Sequence, residues 1–474
     1  MVTPPTFSLD AKYTQRDGTI LLSGVQALIR LLLDQRRADQ RSGLNTAGLI
    51  SGYRGSPLAG FDLLLERSAA LLEQHQIRFI PGVNEDLGAT MLYGSQTANL
   101  FPEPKYDGVF GMWYGKAPGV DRSGDIFKHA NFAGTGRHGG VLVVAGDDPG
   151  SKSSTLPSHS EPALYDALMP ILAPGSIQQI LDFGRLGYAL SRYSGLWVGF
   201  KLTNLLADEF GTAEVGQDRP AVVTPALQIN GRPWQPTQTH TPGAPTSLRV
   251  EQENHEGRLE AARAFASANQ LNRIRVNPPD AWIGLMAAGK TYAELREALL
   301  ALGLDDAALA QAGVRLLQLG MIFPLDEALI GEFAAGLEEI VVIEEKRPFI
   351  ELFIRDALYH HSTRPRIVGK RDERDQPLLP AHGELDATQI APIIAGRLAR
   401  RLPQFAALSA TTQKPDVPLL TLTPAPSLAR SPYFCSGCPH NRSTIVPDGS
   451  IASGGIGCHG LVHSMERSTV GLGH

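Results

Sequence analysis

The residues most typical of metal chemistry lie in one short stretch late in the sequence. Cys435 and Cys438 form a C-x2-C pair, and Cys458 follows after nineteen further residues. A C-x2-C pair puts two thiolates on one turn, the geometry used by zinc sites and iron–sulfur clusters. Structural zinc could take its fourth ligand from His440 or His459. Unliganded buried thiols are the remaining alternative.

A carboxylate suited to acid–base chemistry lies in the segment PGVNEDLGA (81–89). Glu85 follows a strand-like run and begins a helix-like one. A carboxylate at this position commonly does no more than complement the helix dipole. In an apolar pocket, however, a carboxyl group can share a proton with a ligand nitrogen, so Glu85 is also a candidate for proton transfer.

The segment GYRGSPLAG (52–60) reads as a strand, a glycine turn and a helix that starts near Pro57. Ser56 is expected at the N-cap and Pro57 at the first helical position, where both residue types are favoured. Exposed N–H groups and the helix dipole make such a turn a carboxylate or phosphate site, with Arg54 as a charge partner. A plain capped turn is the alternative.

A third turn, GDDPGSKSS (146–154), follows an apolar strand at its carboxyl end. Open α/β sheets bind ligands at that edge. Two aspartates, Pro-Gly and three serines are equally compatible with a solvated turn, so this segment needs support from its neighbours.

The composition is that of an ordinary globular protein. Of 474 residues, 43% are apolar and 19% are charged, which excludes disordered, collagenous and coiled-coil classes. The 43 basic and 48 acidic side chains leave a net charge of −5, so nucleic acid is not an expected partner. The three cysteines are a poor disulfide framework and fit a reducing, cytoplasmic location. Neither a signal peptide nor a membrane-spanning run is visible.

These turns must be positioned by a parallel sheet. Short apolar runs alternate with amphipathic helices, which predicts an α/β fold whose strands are covered on both faces. The predicted strands are 46–53, 108–115, 139–147 and 195–203, and the predicted helices are 58–74, 85–100 and 120–132. We assign residues 1–245 to this first domain, including a proline-rich exit.

A second α/β domain is predicted for residues 246–402. It has strands at 281–289, 314–320 and 338–346 and helices at 291–302 and 324–337. Thr291 is expected to cap its helix, with Glu294 completing a capping box. Residues 403–430 are predicted to be a linker, and 431–474 to be the start of a third domain.

Together these motifs resemble one family in both content and order. GYRGSP, PGVNEDLGA, GDDPGSKSS, FPLDEALIGEF, VVIEEKRPFIE, CSGCPHN and GIGCHG occur along the chain in the order found in the indolepyruvate ferredoxin oxidoreductases. The chain most resembles the long fused form in this group of thiamine-dependent 2-oxoacid oxidoreductases. Each motif is weak alone, but the ordered set is specific.

The resemblance implies oxidative decarboxylation of indolepyruvate or a related aryl 2-oxo acid on thiamine diphosphate. Electrons would pass through [4Fe-4S] clusters to ferredoxin, and coenzyme A would take the acyl group. Glu85 would hydrogen-bond the aminopyrimidine nitrogen, because protonation of that ring helps to generate the cofactor nucleophile. The resemblance gives the remaining roles as cofactor binding by Gly82 and Asn84, and substrate binding by Arg54, Ser56, Lys116, Asp147, Ser153 and Ser154.

The same resemblance assigns Cys435, Cys438 and Cys458 to three ligands of one cluster. It makes residues 1–245 the pyrimidine-side thiamine diphosphate domain, residues 246–402 a transketolase-C-terminal-like domain and residues 431–474 the truncated start of the pyrophosphate-side domain. The Mg2+ ligands and the fourth cluster cysteine would then follow residue 474. We expect a homodimer in the complete enzyme, and a chain that is inactive and binds thiamine diphosphate weakly when alone.

Two alternatives stay open at this point. The same chemistry could act on pyruvate, 2-oxoglutarate or a branched-chain 2-oxo acid, because the side-chain pocket cannot be derived from these motifs. The cysteines could instead hold structural zinc in a non-catalytic module.

Overall fold

A computed structural model gives the fold of the chain. It describes residues 8–239, 243–361, 364–409, 432–450, 452 and 457–465. Two compact units can be distinguished, Met1–Thr412 and Gln413–His474. The predicted domain boundary at residue 245 lies inside the first unit and stays a prediction, and most of the predicted linker at 403–430 lies outside the described residues.

The first unit contains sixteen strands among its described residues. In chain order they are β1 (Gly18–Ser23), β2 (Thr46–Gly52), β3 (Ile77–Phe79), β4 (Gly108–Lys116), β5 (Val141–Asp147), β6 (Ile171–Leu172), β7 (Val198–Thr203), β8 (Phe210–Val215), β9 (Gln228–Ile229), β10 (Arg232–Pro233), β11 (Arg273–Val276), β12 (Ile283–Ala288), β13 (Val314–Leu319), β14 (Met321–Phe323), β15 (Glu339–Ile343) and β16 (Arg366–Val368).

The same unit contains the helices that cover its sheets. They are α1 (Ala11–Thr14), α2 (Gly24–Arg41), α3 (Phe61–Arg67), α4 (Ala69–Gln74), α5 (Glu85–Thr97), α6 (Ala117–Arg122), α7 (Gly124–Ala133), α8 (Glu161–Asp166), α9 (Ile177–Ser194), α10 (Asn204–Asp208), α11 (Thr246–Glu253), α12 (Leu259–Ala268), α13 (Gly289–Ala301), α14 (Asp306–Gln311), α15 (Glu327–Ala334), α16 (Ile350–Leu358), α17 (Ala387–Leu398) and α18 (Ala406–Ser409).

The first sheet has seven strands in the order β14-β6-β7-β5-β4-β2-β3. Six of them are parallel, and β14 pairs with β6 in the antiparallel sense. Every residue of β5 is buried, because helices or other strands cover both faces of the sheet. The predicted strands 46–53, 108–115, 139–147 and 195–203 correspond to β2, β4, β5 and β7, which confirms the α/β class.

A second sheet has five strands in the order β11-β13-β12-β15-β16. Strands β13, β12, β15 and β16 are parallel, and β11 is an antiparallel edge. Two short antiparallel pairs, β1 with β8 and β9 with β10, complete the strand pairing in the described ranges.

The two large sheets share a hydrophobic core. Alternate residues of one strand belong to different cores: Val143 of β5 packs into this shared core, whereas its neighbour Val144 packs into a core on the opposite face. From the second sheet, Met286 and Val342 enter the shared core, and Val341 faces a third core. The unit therefore has three stacked cores separated by two sheets.

Several helices begin where their sequences provide a side-chain cap. Ser23 accepts a hydrogen bond from the Gln26 N–H, and the Gln26 side chain accepts one from the Ser23 N–H, forming a capping box at the start of α2. Ser176 caps α9 in a similar way, through the Gln179 N–H. Helices α2 and α9 then pack against each other on one face of the first sheet.

The expected capping box at Thr291 is wrong. Helix α13 already begins at Gly289, so Thr291 lies inside its first turn and the N-cap is Ala288, which makes no side-chain cap. The Glu294 carboxylate instead accepts a hydrogen bond from the Ala387 N–H at 2.8 Å. Gly289, directly after β12, is the first residue of this helix, two residues before Thr291.

The second unit is described only in part. Helix α19 (His440–Ser443) and a 3-10 segment (Cys458–Ser464) are its regular elements among the described residues. The expectation of a third α/β domain falls largely on residues outside the described ranges.

Candidate active site

The carboxyl edge of the first sheet gathers most of the residues that the sequence singles out. Parallel strands end at the same edge, so the turns after β2, β3, β4 and β5 lie side by side. Those turns carry Arg54, Ser56, Gly82, Asn84, Glu85, Lys116, Asp147, Ser153 and Ser154. The placement follows from the topology and from the strand ends alone.

Glu85 is the first residue of α5 and is 9% exposed. Its helix is capped by Asn84, whose side-chain oxygen accepts the Leu87 N–H at 2.9 Å. The indole Nε1 of the fully buried Trp113 donates to the Glu85 carbonyl oxygen at 3.0 Å. The backbone of Glu85 is therefore held to the core of the sheet by Trp113. The Asn84 side chain caps the N-terminus of α5.

Glycines surround Glu85 because there is no room for side chains. A Cβ added to Gly119 would lie 2.5 Å from Glu85 Cγ and 3.0 Å from Oε1. The Gly82 N–H donates to the Gly52 carbonyl at 2.8 Å, and a Cβ there would lie 2.6 Å from the Asn84 carbonyl oxygen. Gly82 thus brings the turns after β2 and β3 together. Sequence reasoning missed Gly119, whose only signal was the Pro-Gly after β4.

The Glu85 carboxylate has one ionic contact among the described residues. Arg122 Nε lies 4.0 Å from Glu85 Oε2 but only 2.9 Å from Asp86 Oδ1. Because Arg122 is half exposed, water screens both interactions. The guanidinium pairs mainly with Asp86, and the Glu85 carboxylate keeps acceptor capacity for a ligand.

The turn after β2 differs from its prediction. Residues Ser56–Leu58 form a single 3-10 turn, and the α-helix begins only at Phe61, after Gly60 in the left-handed conformation (φ 68°). The expected helix start near Pro57 is therefore wrong, because Gly60 interrupts the chain between the 3-10 turn and the helix. The Ser56 side chain lies outside the described residues.

Two basic residues lie beside this turn. Arg54 is exposed to solvent, and the Lys116 side chain packs along the backbone at Gly55, where an added Cβ would lie 3.5 Å from Lys116 Cβ, Cγ and Cδ. Arg54 and Lys116 therefore lie at the ends of adjacent strands on the same edge, and their assignment to substrate binding stays a prediction.

Asp147 ends β5 and is almost fully buried, with 1% of its surface exposed. Its carboxylate accepts the Ser160 N–H at 3.0 Å and the Ser160 hydroxyl at 2.5 Å, and Lys201 Nζ lies 3.9 Å away. Burial raises the pKa of Asp147 to about 7 against the opposing effect of the Lys201 ammonium, and Glu161 raises it further. Asp147 is thus occupied by internal contacts.

Asp148 organises the next residues into a compact loop. Its carboxylate accepts the N–H groups of Lys152 at 2.9 Å, Ser153 at 2.7 Å and Ser154 at 2.8 Å. Burial opposes ionisation, but these N–H donors outweigh it and lower the pKa of Asp148. The arrangement fixes Ser153 and Ser154 relative to the end of β5.

Lys201 and Glu161 form a buried ion pair that sequence reasoning missed. Lys201 Nζ contacts Glu161 Oε1, and burial, which lowers the pKa of Lys201, is outweighed by Glu161 and Asp147, so that pKa is raised. Both residues line a narrow cavity with Thr203, Lys290 and Glu345. A lysine in the middle of an apolar strand was the available signal.

The cysteines belong to the second unit. Cys435 and Cys438 share a turn, with the Cys438 N–H donating to the Cys435 carbonyl at 3.0 Å, and Cys438 Sγ lies 3.2 Å from His440 Nδ1. The rings of His440 and His459 stack with centroids 5.7 Å apart. All three cysteines are free.

No group of three or more His, Cys, Asp or Glu side chains within the described ranges has a geometry that could hold a metal ion. The structure therefore brings Cys435 and Cys438 together on one turn, and the residues it describes do not form a complete ligand set around them. The assignment of the three cysteines to a metal centre stays a prediction. Likewise, no helix in the described part of the chain has the length and hydropathy needed to cross a bilayer.

Comparison with known proteins confirms the resemblance. Residues 273–416 match the indolepyruvate oxidoreductase domain. Indolepyruvate oxidoreductase subunit IorA of Methanothermobacter marburgensis is 24% identical over 90% of this chain and 59% of its own length. The IorA subunit of Pyrococcus abyssi is 24% identical over 93% of this chain and 62% of its own. The chain thus spans about three fifths of the length of these curated relatives.

A solved structure supports the fold. The 2-oxoglutarate:ferredoxin oxidoreductase from Magnetococcus marinus, with 2-oxoglutarate, coenzyme A and succinyl-CoA bound, superposes with a TM-score of 0.55. The match covers 81% of this chain and 66% of that one, at 15% sequence identity. At that identity the likeness is one of fold.

Proposed function

Because the chain resembles the indolepyruvate ferredoxin oxidoreductases, we propose that it forms part of a thiamine-dependent 2-oxoacid:ferredoxin oxidoreductase. In this proposal, the first sheet binds the aminopyrimidine side of thiamine diphosphate at its carboxyl edge. The observation that carries the proposal is the position of Glu85. A nearly buried carboxylate starts α5 at the edge where α/β sheets bind ligands, with its backbone anchored by Trp113.

The residues around Glu85 fit an aromatic nitrogen ligand. Gly119 and Gly82 leave no Cβ in contact with the carboxylate or the turn, and the nearest cation, Arg122, is mainly paired with Asp86. A carboxyl group in such a site can hold a proton between itself and a ring nitrogen. Thiamine diphosphate, when bound, supplies the nucleophile that attacks the 2-oxo carbon and the electron sink for decarboxylation.

The substrate in this proposal is a 2-oxo acid, and indolepyruvate is the first choice. Arg54 and Lys116, on adjacent turns of the same edge, provide positive charge for the substrate carboxylate. Ser153 and Ser154 carry hydroxyl groups on the loop that Asp148 fixes by accepting their N–H groups. Pyruvate, 2-oxoglutarate and branched-chain 2-oxo acids are the competing substrates. Viologen reduction by the assembled enzyme with each acid in turn distinguishes them.

The further cofactors and partners belong to the same proposal. Cys435, Cys438 and Cys458 would supply three thiolates to a [4Fe-4S] cluster, and Mg2+ would accompany the cofactor pyrophosphate. Coenzyme A and ferredoxin are the proposed acceptors of the acyl group and of the electrons. A second protomer is expected to complete the cofactor site.

A second candidate function is favoured by the 3.2 Å contact between Cys438 Sγ and His440 Nδ1. Thiolate and imidazole together are typical ligands of structural zinc. Elemental analysis with a visible spectrum separates the two candidates, because an iron–sulfur cluster absorbs near 400 nm and zinc does not.

Replacing Glu85 tests the proposal directly. We expect Glu85→Gln to lower viologen reduction by the assembled enzyme about 10²–10⁴-fold, the range typical of a lost general acid–base group. Asp125→Asn is the matched control, because it removes the charge of a carboxylate that is 94% exposed and pairs only with His129 in the described part of the chain. Near-normal turnover of Glu85→Gln would reject the proton-transfer role.

A further inference from the structure

The carboxyl edges of the two large sheets meet at one loop. Residues 148–154 follow β5 of the first sheet, and we refer to them as the 148–154 loop. Lys346 follows β15, at the carboxyl edge of the second sheet. Its ammonium reaches across to the Pro149 carbonyl oxygen, 197 residues away in sequence. The second sheet therefore touches the loop that carries Ser153 and Ser154.

Lys346 is held in a constrained position. Only 7% of the residue is exposed, and its backbone adopts the left-handed conformation with φ of 58°. Its Nζ donates to the carbonyl oxygens of Pro149 and of Gly383, the latter at 2.7 Å. The Lys346 ammonium therefore links the 148–154 loop to the segment that contains Gly383. Both hydrogen bonds have a charged donor, and such bonds are stronger than those between neutral groups.

An ion pair makes a second connection between the same loops. Lys152 Nζ lies 2.7 Å from Glu384 Oε2, and Lys290 Nζ lies 3.2 Å from Glu384 Oε1. A Cβ on Gly150 would lie 3.1 Å from Glu384 Oε2, so the loop backbone passes close to this carboxylate. Glu384 immediately follows Gly383. The hydrogen bond of Lys346 and the ion pair of Lys152 therefore both involve the same segment, which lies between β16 and α17.

The 148–154 loop is therefore fixed from two sides. Internally, the Asp148 carboxylate accepts the N–H groups of Lys152, Ser153 and Ser154. Externally, Lys346 holds the Pro149 carbonyl. Asp148 determines the conformation of the loop, and Lys346 determines the position of the loop relative to the edge of the first sheet.

We propose that Lys346 is a positioning residue for substrate recognition, which holds the 148–154 loop against the carboxyl edge of the first sheet through the Pro149 carbonyl. The inference rests on the proposed function in one respect, namely that Ser153 and Ser154 contact the 2-oxo acid. Lys346 itself does not touch the substrate, because its ammonium is directed at two backbone carbonyls.

Hydrogen–deuterium exchange of the full 474-residue chain tests the contact without cofactor or substrate. We expect Lys346→Met, which keeps an unbranched side chain one atom shorter and removes its charge, to speed exchange of the Lys152, Ser153 and Ser154 amides about 10-fold or more. Lys346→Arg, which restores a cationic donor, is expected to recover most of the protection.

Lys370→Met is the matched control. Lys370 is also buried, with 8% exposed, and its Nζ donates to the carbonyls of Glu344 and, at 3.0 Å, Pro380, not to the 148–154 loop. Its loss should leave exchange at residues 152–154 within about twofold of wild type. Wild-type exchange in Lys346→Met, or equal acceleration in Lys370→Met, would overturn the proposal. If Lys346→Met does not fold, Lys346→Gln, which also removes the ammonium that binds the Pro149 carbonyl, carries the same test.

Kinetics of the assembled enzyme test the functional consequence. We expect Lys346→Met to raise KM for the 2-oxo acid about 10-fold while kcat changes less than about threefold, the pattern of lost binding contacts. A loosened loop with unchanged KM would refute the role in recognition. If the wild-type enzyme oxidises no 2-oxo acid, the proposed function fails, whereas the exchange result still decides whether Lys346 holds the loop.

Discussion

The contact between Gly119 and Glu85 gives the sharpest test of the site geometry. Replacing Gly119 by alanine would put a Cβ 2.5 Å from Glu85 Cγ, where ordinary carbon contacts begin at about 3.5 Å. The Glu85 side chain must therefore move by about 1 Å, because Gly119 lies in α6 and the backbone of Glu85 is anchored by Trp113.

The expected effect on stability is small, and the effect on activity is large. Overpacking costs about 1–3 kcal/mol, and replacing glycine by alanine in a helix regains up to about 1 kcal/mol. The free energy of unfolding of Gly119→Ala should thus fall by about 0–3 kcal/mol. A catalytic group misplaced by about 1 Å can cost about 10²-fold in turnover, so we expect a loss of that size.

Urea unfolding of the chain and viologen reduction by the assembled enzyme measure the two effects. Gly94→Ala is the control, because Gly94 lies inside α5, the helix that Glu85 begins, and an added Cβ there meets nothing within 4 Å. That variant should be unchanged in turnover and stabilised by up to about 1 kcal/mol. Turnover of Gly119→Ala within about twofold of wild type would show that Glu85 is not positioned as we infer.

Two further predictions concern the chain alone. Because burial raises the pKa of Asp147 to about 7 from its ordinary value of 3.8, the folded state holds a proton that the unfolded state has lost between these pH values. Its contribution to stability is full below about pH 4 and is lost as the pH rises to about 7, so wild type should lose stability relative to Asp147→Asn by up to about 1.4 kcal/mol per pH unit in urea titrations. A difference independent of pH would contradict this. Arg258 is fully buried and donates to Glu253 at 2.9 Å and to the carbonyls of Asn131 and Thr237, so Arg258→Met should cost about 3–5 kcal/mol. A loss below about 1 kcal/mol in the same assay would show that these contacts are not stabilising.

The class of fold and the principal strands could be predicted because apolar runs of β5 and its neighbours are bounded by glycine and polar turns. The core that the two sheets share could not be predicted from the sequence. In a strand such as β5, Val143 and Val144 are chemically alike, yet they face different cores. Periodicity carries no signal when both faces of a strand are buried.

Helix starts were predicted less well than strands. Thr291 and Pro57 are favourable starting residues, but Gly289 and Gly60 decide where α13 and α3 begin, because each adopts a left-handed backbone. Local propensity is easily overridden when a strand end fixes the direction of the chain.

Some residues of the candidate site could be predicted from the sequence, and others could not. Glu85 was identified from its motif, and its place at the sheet edge followed from the topology. Gly119 and Lys346 were missed since their importance lies in contacts with residues distant in sequence. A glycine that excludes a Cβ and a lysine that binds a carbonyl leave no local pattern.

The antiparallel strand β14 has a consequence for synthesis of the protein. Residues Met321–Phe323 complete the first sheet by pairing with β6, and the shared core also contains side chains from the second sheet. A ribosome must therefore have released residue 323 before the first sheet can close its edge. Until then, the outer edge of β6 has unpaired backbone groups, and the shared core lacks the side chains of the second sheet.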